Sequence, residues 1–274
     1  MMTNDRVFAV DGPFYLHRVV HTQSFEPADE ALSQAKRFVG MICKDAGAVG
    51  ARRIFVGFDG DANFRFDVYD GYKGNREPGS GVYDHLPYII GYLKKAGIPC
   101  VQKPKYEADD LMRSLIHSGA NLAIGCRDKD ALQGLVRDDV FLYDSSGGKG
   151  KKPTKIYRRD VKALFGVEPE QCVDYQTLIG DKIDCVPQLM SPNDAAKGLN
   201  KYGSIKEWAA RNGQMMAWCR KHEKALNRNR KLVRLKTSIK IEVPPIKWCD
   251  DEDMTKSYHE FRKLATIKTR GLFG

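Results

Sequence analysis

At 274 residues, 42% hydrophobic and 29% charged, the chain is long enough to bury an α/β core and has the composition of an ordinary globular protein. It contains no run of about 18 apolar residues, which argues against a membrane-spanning helix. Its seven cysteines stand singly with no Cys-x-x-Cys, which argues against a disulfide framework or a zinc site.

The net charge of +10 is unevenly placed: residues 198–274 hold 18 Lys and Arg against 8 Asp and Glu, whereas residues 1–197 hold 27 of each. A basic flank behind an acid-rich stretch suits a metal site acting on a polyanion, because Lys and Arg contacts to phosphate supply most non-specific affinity for nucleic acid. A solvated basic surface is the plainer alternative. No signal peptide precedes the first apolar run, so a cytoplasmic location is expected.

In chain order, residues 7–10 form a short apolar run that delivers Asp11 into a turn, and residues 28–46 read as an amphipathic helix. Residues 54–58 form a second buried-strand candidate, again ending in a carboxylate, Asp59. Strand, helix, strand with acids at the strands' carboxyl ends predicts an α/β fold with a mostly parallel sheet, where ligands bind at those ends. The Gly-rich stretch that follows interleaves Tyr69, Tyr72, Lys73 and Arg76. It reads either as an ordinary loop or as basic and aromatic side chains placed for a phosphate backbone and a stacked base.

A helix over 82–96 and a strand near 98–101 lead into the most acidic part of the chain, Tyr106 to Asp130. Glu107, Asp109 and Asp110 open a helix whose apolar face is Ala108, Leu111, Met112, Leu115 and Ile116. Asp128 and Asp130 follow the apolar run 122–124. Acids in a first helical turn are also ordinary caps, and Asp is an ordinary turn residue. Together, though, clustered carboxylates call for a hard cation between them.

A strand over 139–143 and a Gly/Lys/Ser hairpin or loop over 145–152 come next. Helices are then predicted over 161–165, 169–179, 195–202, 205–211 and 214–227. Asp181 and Asp184 are three apart and would share a face if the backbone there were helical. From Lys197 to Lys240 there are 13 Lys and Arg against 2 acids.

The order Asp11-Gly, Phe58-Asp59-Gly, Tyr72-Lys-x-x-Arg76, Glu107-Ala-Asp-Asp, Asp128-Lys-Asp and Gly180-Asp-x-x-Asp184 resembles the 5′-nuclease superfamily: flap endonucleases, phage 5′-exonucleases and the 5′→3′ exonuclease domain of bacterial DNA polymerase I. The resemblance implies a PIN-like sheet flanked by helices with a helix-hairpin-helix-type C-terminal part. It implies a catalytic core over 1–185 with an arch near 70–82, a basic duplex-binding part over 186–245, and a tail over 246–274. It also implies two Mg²⁺ ions, with Mn²⁺ able to substitute.

By the same resemblance Asp11, Asp59, Glu107, Asp109 and Asp110 would serve one ion, and Asp128, Asp130, Asp181 and Asp184 the other. Lys73 and Arg76 would hold the scissile phosphate beside Tyr72, and Lys197, Lys201 and Lys206 would grip duplex. The implied activity is structure-specific 5′→3′ exonuclease and flap endonuclease cleavage of DNA, extending to RNA in RNA–DNA hybrids. It would act in primer removal, repair or recombination, beside a polymerase and a single-strand-binding protein, as a monomer and in a host's cytoplasm if the chain is phage-encoded.

One segment departs from the pattern: the hairpin over 188–194 lacks the usual glycines, so the monovalent cation (K⁺) of that motif is not supported. A PIN-like ribonuclease and a non-catalytic nucleic-acid-binding protein remain as alternatives. Neither accounts for all nine acids together with the basic flank.

Overall fold

The structure, a computed structural model, describes residues 6–21, 30–75, 81–147 and 151–241. Arg76, the stretch after 241 and part of the expected arch lie outside the described residues. β1 (Val7–Asp11) is followed by α1 (Gly12–His21), α2 (Glu30–Ala48), β2 (Arg53–Phe58), the one-turn α3 (Phe64–Val68), α4 (Leu86–Lys95) and β3 (Cys100–Gln102). Then come α5 (Ala108–His117), β4 (Leu122–Gly125), a 3₁₀ turn (Asp130–Gly134), β5 (Phe141–Asp144) and β6 (Thr154–Tyr157). The chain continues with α6 (Arg158–Phe165), α7 (Cys172–Ile179), α8 (Pro192–Tyr202), α9 (Ile205–Arg211), α10 (Gly213–Lys221) and α11 (Glu223–Val233).

The six strands form one sheet in the order β3-β2-β1-β4-β5-β6. All neighbours are parallel except β5 and β6. The central strands are apolar on both faces, and their alternation divides the core into two layers. Phe8, Val10, Val56 and Phe58 pack with α1, α2 and α4. Ala9, Phe55 and Ile124 pack with α5, α7 and the helices beyond. The chain runs outward from β1 to β3, then returns to place β4 on the other side of β1. The sheet therefore reverses direction between β1 and β4, and the carboxyl ends at such a reversal are where an α/β sheet opens a crevice.

The expected α/β fold with a mostly parallel sheet is present. The differences are local. Residues 12–21 are a helix where a turn was expected. Residues 154–157 pair antiparallel to β5 and lengthen the sheet. The helix expected over 214–227 is two, broken at His222, whose ring stacks on Trp218 at 4.4 Å.

No packing gap falls at the expected boundary after residue 185. Asp181 bridges to Val186 across it, and Ala195, Leu199, Ile205 and Met215 belong to the same buried cluster as Ala9 and Ile124. Among the described residues no helix is long and apolar enough to cross a membrane.

Candidate active site

Five chain segments bring carboxylates to the crevice. β1 ends in Asp11, which is 8% exposed, and its Oδ1 accepts the Phe14 amide at 3.2 Å. The backbone there is crowded: a Cβ on Gly12 would lie 2.4 Å from the Phe58 ring. Asp59 follows β2, and its Oδ1 accepts the Ala108 amide at 2.8 Å, tying the β2 end to the first turn of α5. Glu107 and Asp109 flank that same turn, where free N–H groups and the helix dipole favour negative charge. Asp128 follows β4 and accepts the Asp130 amide at 2.9 Å. Asp130 opens the 3₁₀ turn and takes the Gln176 side-chain amide from α7.

Asp181 and Asp184 arrive by a tight turn, not by the helical face expected for them. Asp181 Oδ1 accepts the amides of Ile183 at 2.6 Å and Asp184 at 3.1 Å, and the turn closes through paired Asp181–Val186 backbone bonds. Gly180 makes it possible. Its φ is +66°, and a Cβ there would meet the Val186 carbonyl oxygen at 2.3 Å, so no other residue fits.

Charge crowding sets the electrostatics. Burial, then the charge of Asp59, pushes Asp11 up to about 8 from an ordinary 3.8. Burial also raises Asp109, followed by the charges of Asp128, Asp11, Asp130 and Glu107. Asp130 is raised by burial and then by Asp128, Asp184 and Asp181. Asp128 is raised chiefly by burial, with Asp184 and Asp181 adding to it. Asp11, Asp59, Glu107, Asp109, Asp128, Asp130, Asp181 and Asp184 thus share one basin. Asp110 does not face it.

Lys73 enters the basin as a cation. Its ammonium pairs with Glu107 and opposes the upward shifts of Asp11 and Asp128. Its backbone is left-handed, φ +52°, and its amide donates to the Asp184 carbonyl at 3.0 Å. A non-glycine residue in that region carries backbone strain that the surrounding bonds must hold.

The donor set suits a hard cation. All the side chains are carboxylates, and Asp109 Oδ1 is buried with no hydrogen-bond partner. Among the described residues no group of three or more His, Cys, Asp or Glu is drawn together closely enough to hold a metal ion by itself. An ion such as Mg²⁺ keeps several waters and takes only one or two carboxylates directly, so water would supply the rest of its ligands.

Two expected site residues have other work. Asp110, expected beside the first ion, is fully buried. Both its oxygens are taken by Arg65, at 2.7 and 3.0 Å, and by the amides of Glu107 at 3.1 Å and Lys236 at 2.8 Å. Tyr72, expected to stack on a base, is 2% exposed. Its hydroxyl lies 3.0 Å from Asp184 Oδ2 and 3.2 Å from Glu107 Oε2, and its ring is enclosed. Burial followed by those two negative charges drives its pKa far up, so it stays protonated and shares one proton between two carboxylates.

Lys197 and Lys201, one turn apart on α8, and Lys206 on α9 are exposed, as a backbone-gripping surface requires. Sequence reasoning missed Arg65 and Gln176. Nothing in charge counting marks a lone arginine between two phenylalanines, or a glutamine on an apolar helix.

Residues 6–166 match the model of the 5′-3′ exonuclease, N-terminal resolvase-like domain. The 5′-3′ exonuclease of Aquifex aeolicus is 31% identical over 223 residues, covering 77% of this chain and 72% of that protein. DNA polymerase I of Rhizobium leguminosarum is 30% identical over 272 residues, covering 89% of this chain but 26% of that protein. The chain thus spans about a quarter of the length of such polymerases. Among solved structures, T5 5′-exonuclease with bound zinc has a TM-score of 0.68 at 20% identity, covering 95% of this chain and 99% of that one. The bacteriophage T5 flap endonuclease in a complex with DNA and metal ions has the same score, identity and coverage. At that identity the likeness is one of fold.

Proposed function

We propose a function from one premise: this chain belongs to the 5′-3′ exonuclease family, whose N-terminal domain it matches over residues 6–166. It is a Mg²⁺-dependent 5′-nuclease that hydrolyses phosphodiester bonds of DNA at 5′ flaps, nicks and 5′ ends, and of RNA paired to DNA. The observation that carries this reading is the convergence of eight carboxylates and Lys73 at the sheet's reversal point, where burial and then neighbouring charges raise the pKa values of Asp11, Asp109, Asp128 and Asp130. Asp109 Oδ1, buried with no hydrogen-bond partner, differs in this from Asp110, whose two oxygens are both taken by Arg65 and backbone amides.

Asp11, Asp59, Glu107 and Asp109 are assigned to one ion, and Asp128, Asp130, Asp181 and Asp184 to the other, in part through water. Bound there, two divalent ions would lower the pKa of a water and offset charge on the attacking and leaving oxygens of a displacement at phosphorus. The chain's own residues do the holding. Lys73 gives up part of its pairing with Glu107 to a phosphate oxygen, and Arg76, three residues on in the sequence, is assigned a second contact to it. Tyr72 keeps Glu107 and Asp184 at a fixed separation. Lys197, Lys201 and Lys206 take backbone phosphates of the duplex.

The T5 relatives of like fold, described with zinc and with DNA and metal ions, support a divalent cofactor and a DNA substrate. The polymerase relatives support work in replication primer removal or repair, beside a polymerase and a single-strand-binding protein. A monomer in the cytoplasm suffices for this. The test is cleavage of 5′-flapped duplex, nicked duplex and RNA–DNA hybrid with Mg²⁺, with Mn²⁺ and with chelator. Asp130→Ala should abolish product, and cleavage by that variant at the wild-type rate overturns the assignment.

A further inference from the structure

We infer that Arg65 and Asp110 are a positioning couple that fastens the first turn of α5 to the end of α11, so that Glu107 is held from behind by the basic helical region. The functional half of this inference rests on the metal-site reading above; the geometry does not.

Arg65 is 1% exposed, and every nitrogen of its guanidinium is engaged. Nη1 and Nη2 form the fork on Asp110, and Nη1 also lies 3.2 Å from Glu107 Oε2. Nε donates to the Leu232 carbonyl at 2.7 Å, and the group stacks over the Phe64 ring at 4.6 Å. Leu232 is the second-last residue of α11. Its carbonyl is among the last four, which have no partner within the helix, and it lies at the helix's negative end. A cation placed there satisfies the acceptor and the dipole together.

The fastening continues past the helix. Asp110 Oδ1 accepts the Lys236 amide, and Ser114 on α5 donates to the Lys236 carbonyl at 3.0 Å. Gln133 takes both sides of the same stretch, donating to the Val233 carbonyl at 3.1 Å and accepting the Leu235 amide at 3.0 Å.

A buried ion pair is weak evidence of added stability, since an apolar pair of like volume often does as well. What the fork supplies that an apolar pair cannot is orientation: a planar, two-bond contact that a lysine ammonium does not reproduce. Its direction here points through Asp110 and the Glu107 amide to Glu107 itself. Residues 232–236 are thereby a backing plate for the site, although they carry none of its acids.

The test separates a backbone bond from a side chain at one position. Lys236→Ala and Lys236→Pro both lose the ammonium that sits 4.3 Å over Phe64, but only proline removes the amide that Asp110 accepts. Mn²⁺ binding without DNA is followed by electron paramagnetic resonance, and amide exchange is followed at 107–111. Lys236→Pro should weaken Mn²⁺ about tenfold and expose those amides, and Lys236→Ala should stay within about twofold on both readouts, the range expected when a ligand's support is lost or kept.

Arg65→Lys, checked for folding by circular dichroism, should behave as Lys236→Pro and lower kcat on flap DNA with KM unchanged. Equal Mn²⁺ affinity and equal exchange in the proline and alanine variants overturn the inference. If the wild-type protein binds no Mn²⁺, the metal reading fails. The exchange data alone then decide, loss of protection in Lys236→Pro only upholding the couple and equal protection in the two variants overturning it.

Discussion

The two halves of the carboxylate basin are supported in different ways. In the first, Asp11 and Asp59 take backbone amides, but Glu107 is backed by cations, Arg65 beneath it and Lys73 on it. Asp128, Asp130, Asp181 and Asp184 are backed by neutral donors, the Gln176 amide and the backbone N–H groups of tight turns. Ionic support in a buried place is strong only while complete, because removing one partner strands the other charge. Neutral support is weaker per bond but leaves less behind when it is cut.

The sharpest way to break this comparison is Arg65→Met. It leaves Asp110, with no exposed surface, without its counter-charge, and such losses cost about 3–5 kcal/mol. Urea unfolding should show that loss, and an unchanged midpoint would make the first half no more dependent on ionic support than the second. Lys73→Ala comes next. It should leave the fold in place and lower kcat on flap DNA about 10²–10³-fold, the usual cost of a lost donor to developing charge, read by single-turnover cleavage.

A third test uses pH. In the folded chain Asp11 titrates near 8, up from 3.8, and Asp109, Asp128 and Asp130 move the same way. The folded state therefore holds more protons than the unfolded state between the two values. The stability this gives is full below the unfolded pKa and is lost as pH rises through the folded one. Melting of metal-stripped protein should fall by several degrees from about pH 6 to about pH 8, and Mg²⁺ should restore it at the upper end. A flat profile in chelator would mean that the acids do not crowd one another.

The smallest effect belongs to Gln176→Leu. Mn²⁺ affinity should drop about tenfold with melting nearly unmoved. A stability loss as large as that of Arg65→Met would erase the distinction between the halves.

Much of this was legible beforehand. The apolar runs ending in Asp11 and Asp59, the period of α5 and the spacing of Asp128 and Asp130 are local patterns, and local patterns predict strand ends and helix starts well. Asp109 and Asp110 are indistinguishable on sequence, being adjacent acids in one turn, yet Asp110 is turned onto Arg65. Neighbours on a helix differ by about 100° in direction, and only the packing of α5 decides which of them meets Arg65 and which meets the crevice. Tyr72 was misread likewise, since a tyrosine among glycines and basic residues looks exposed until the turn around Lys73 folds its ring inward.

By itself, the sequence determined the inventory: a parallel sheet with acids at its carboxyl ends, a basic flank, and motifs whose order names a family. The first two follow from periodicity and charge, and the last from likeness to a known family; all are properties of the chain alone. The tertiary structure decided which acids face one another, and that a helix more than 100 residues away closes the back of the site through Leu232 and Lys236. Hydrogen bonds of that span depend on where two elements come to rest, and no local pattern encodes their meeting.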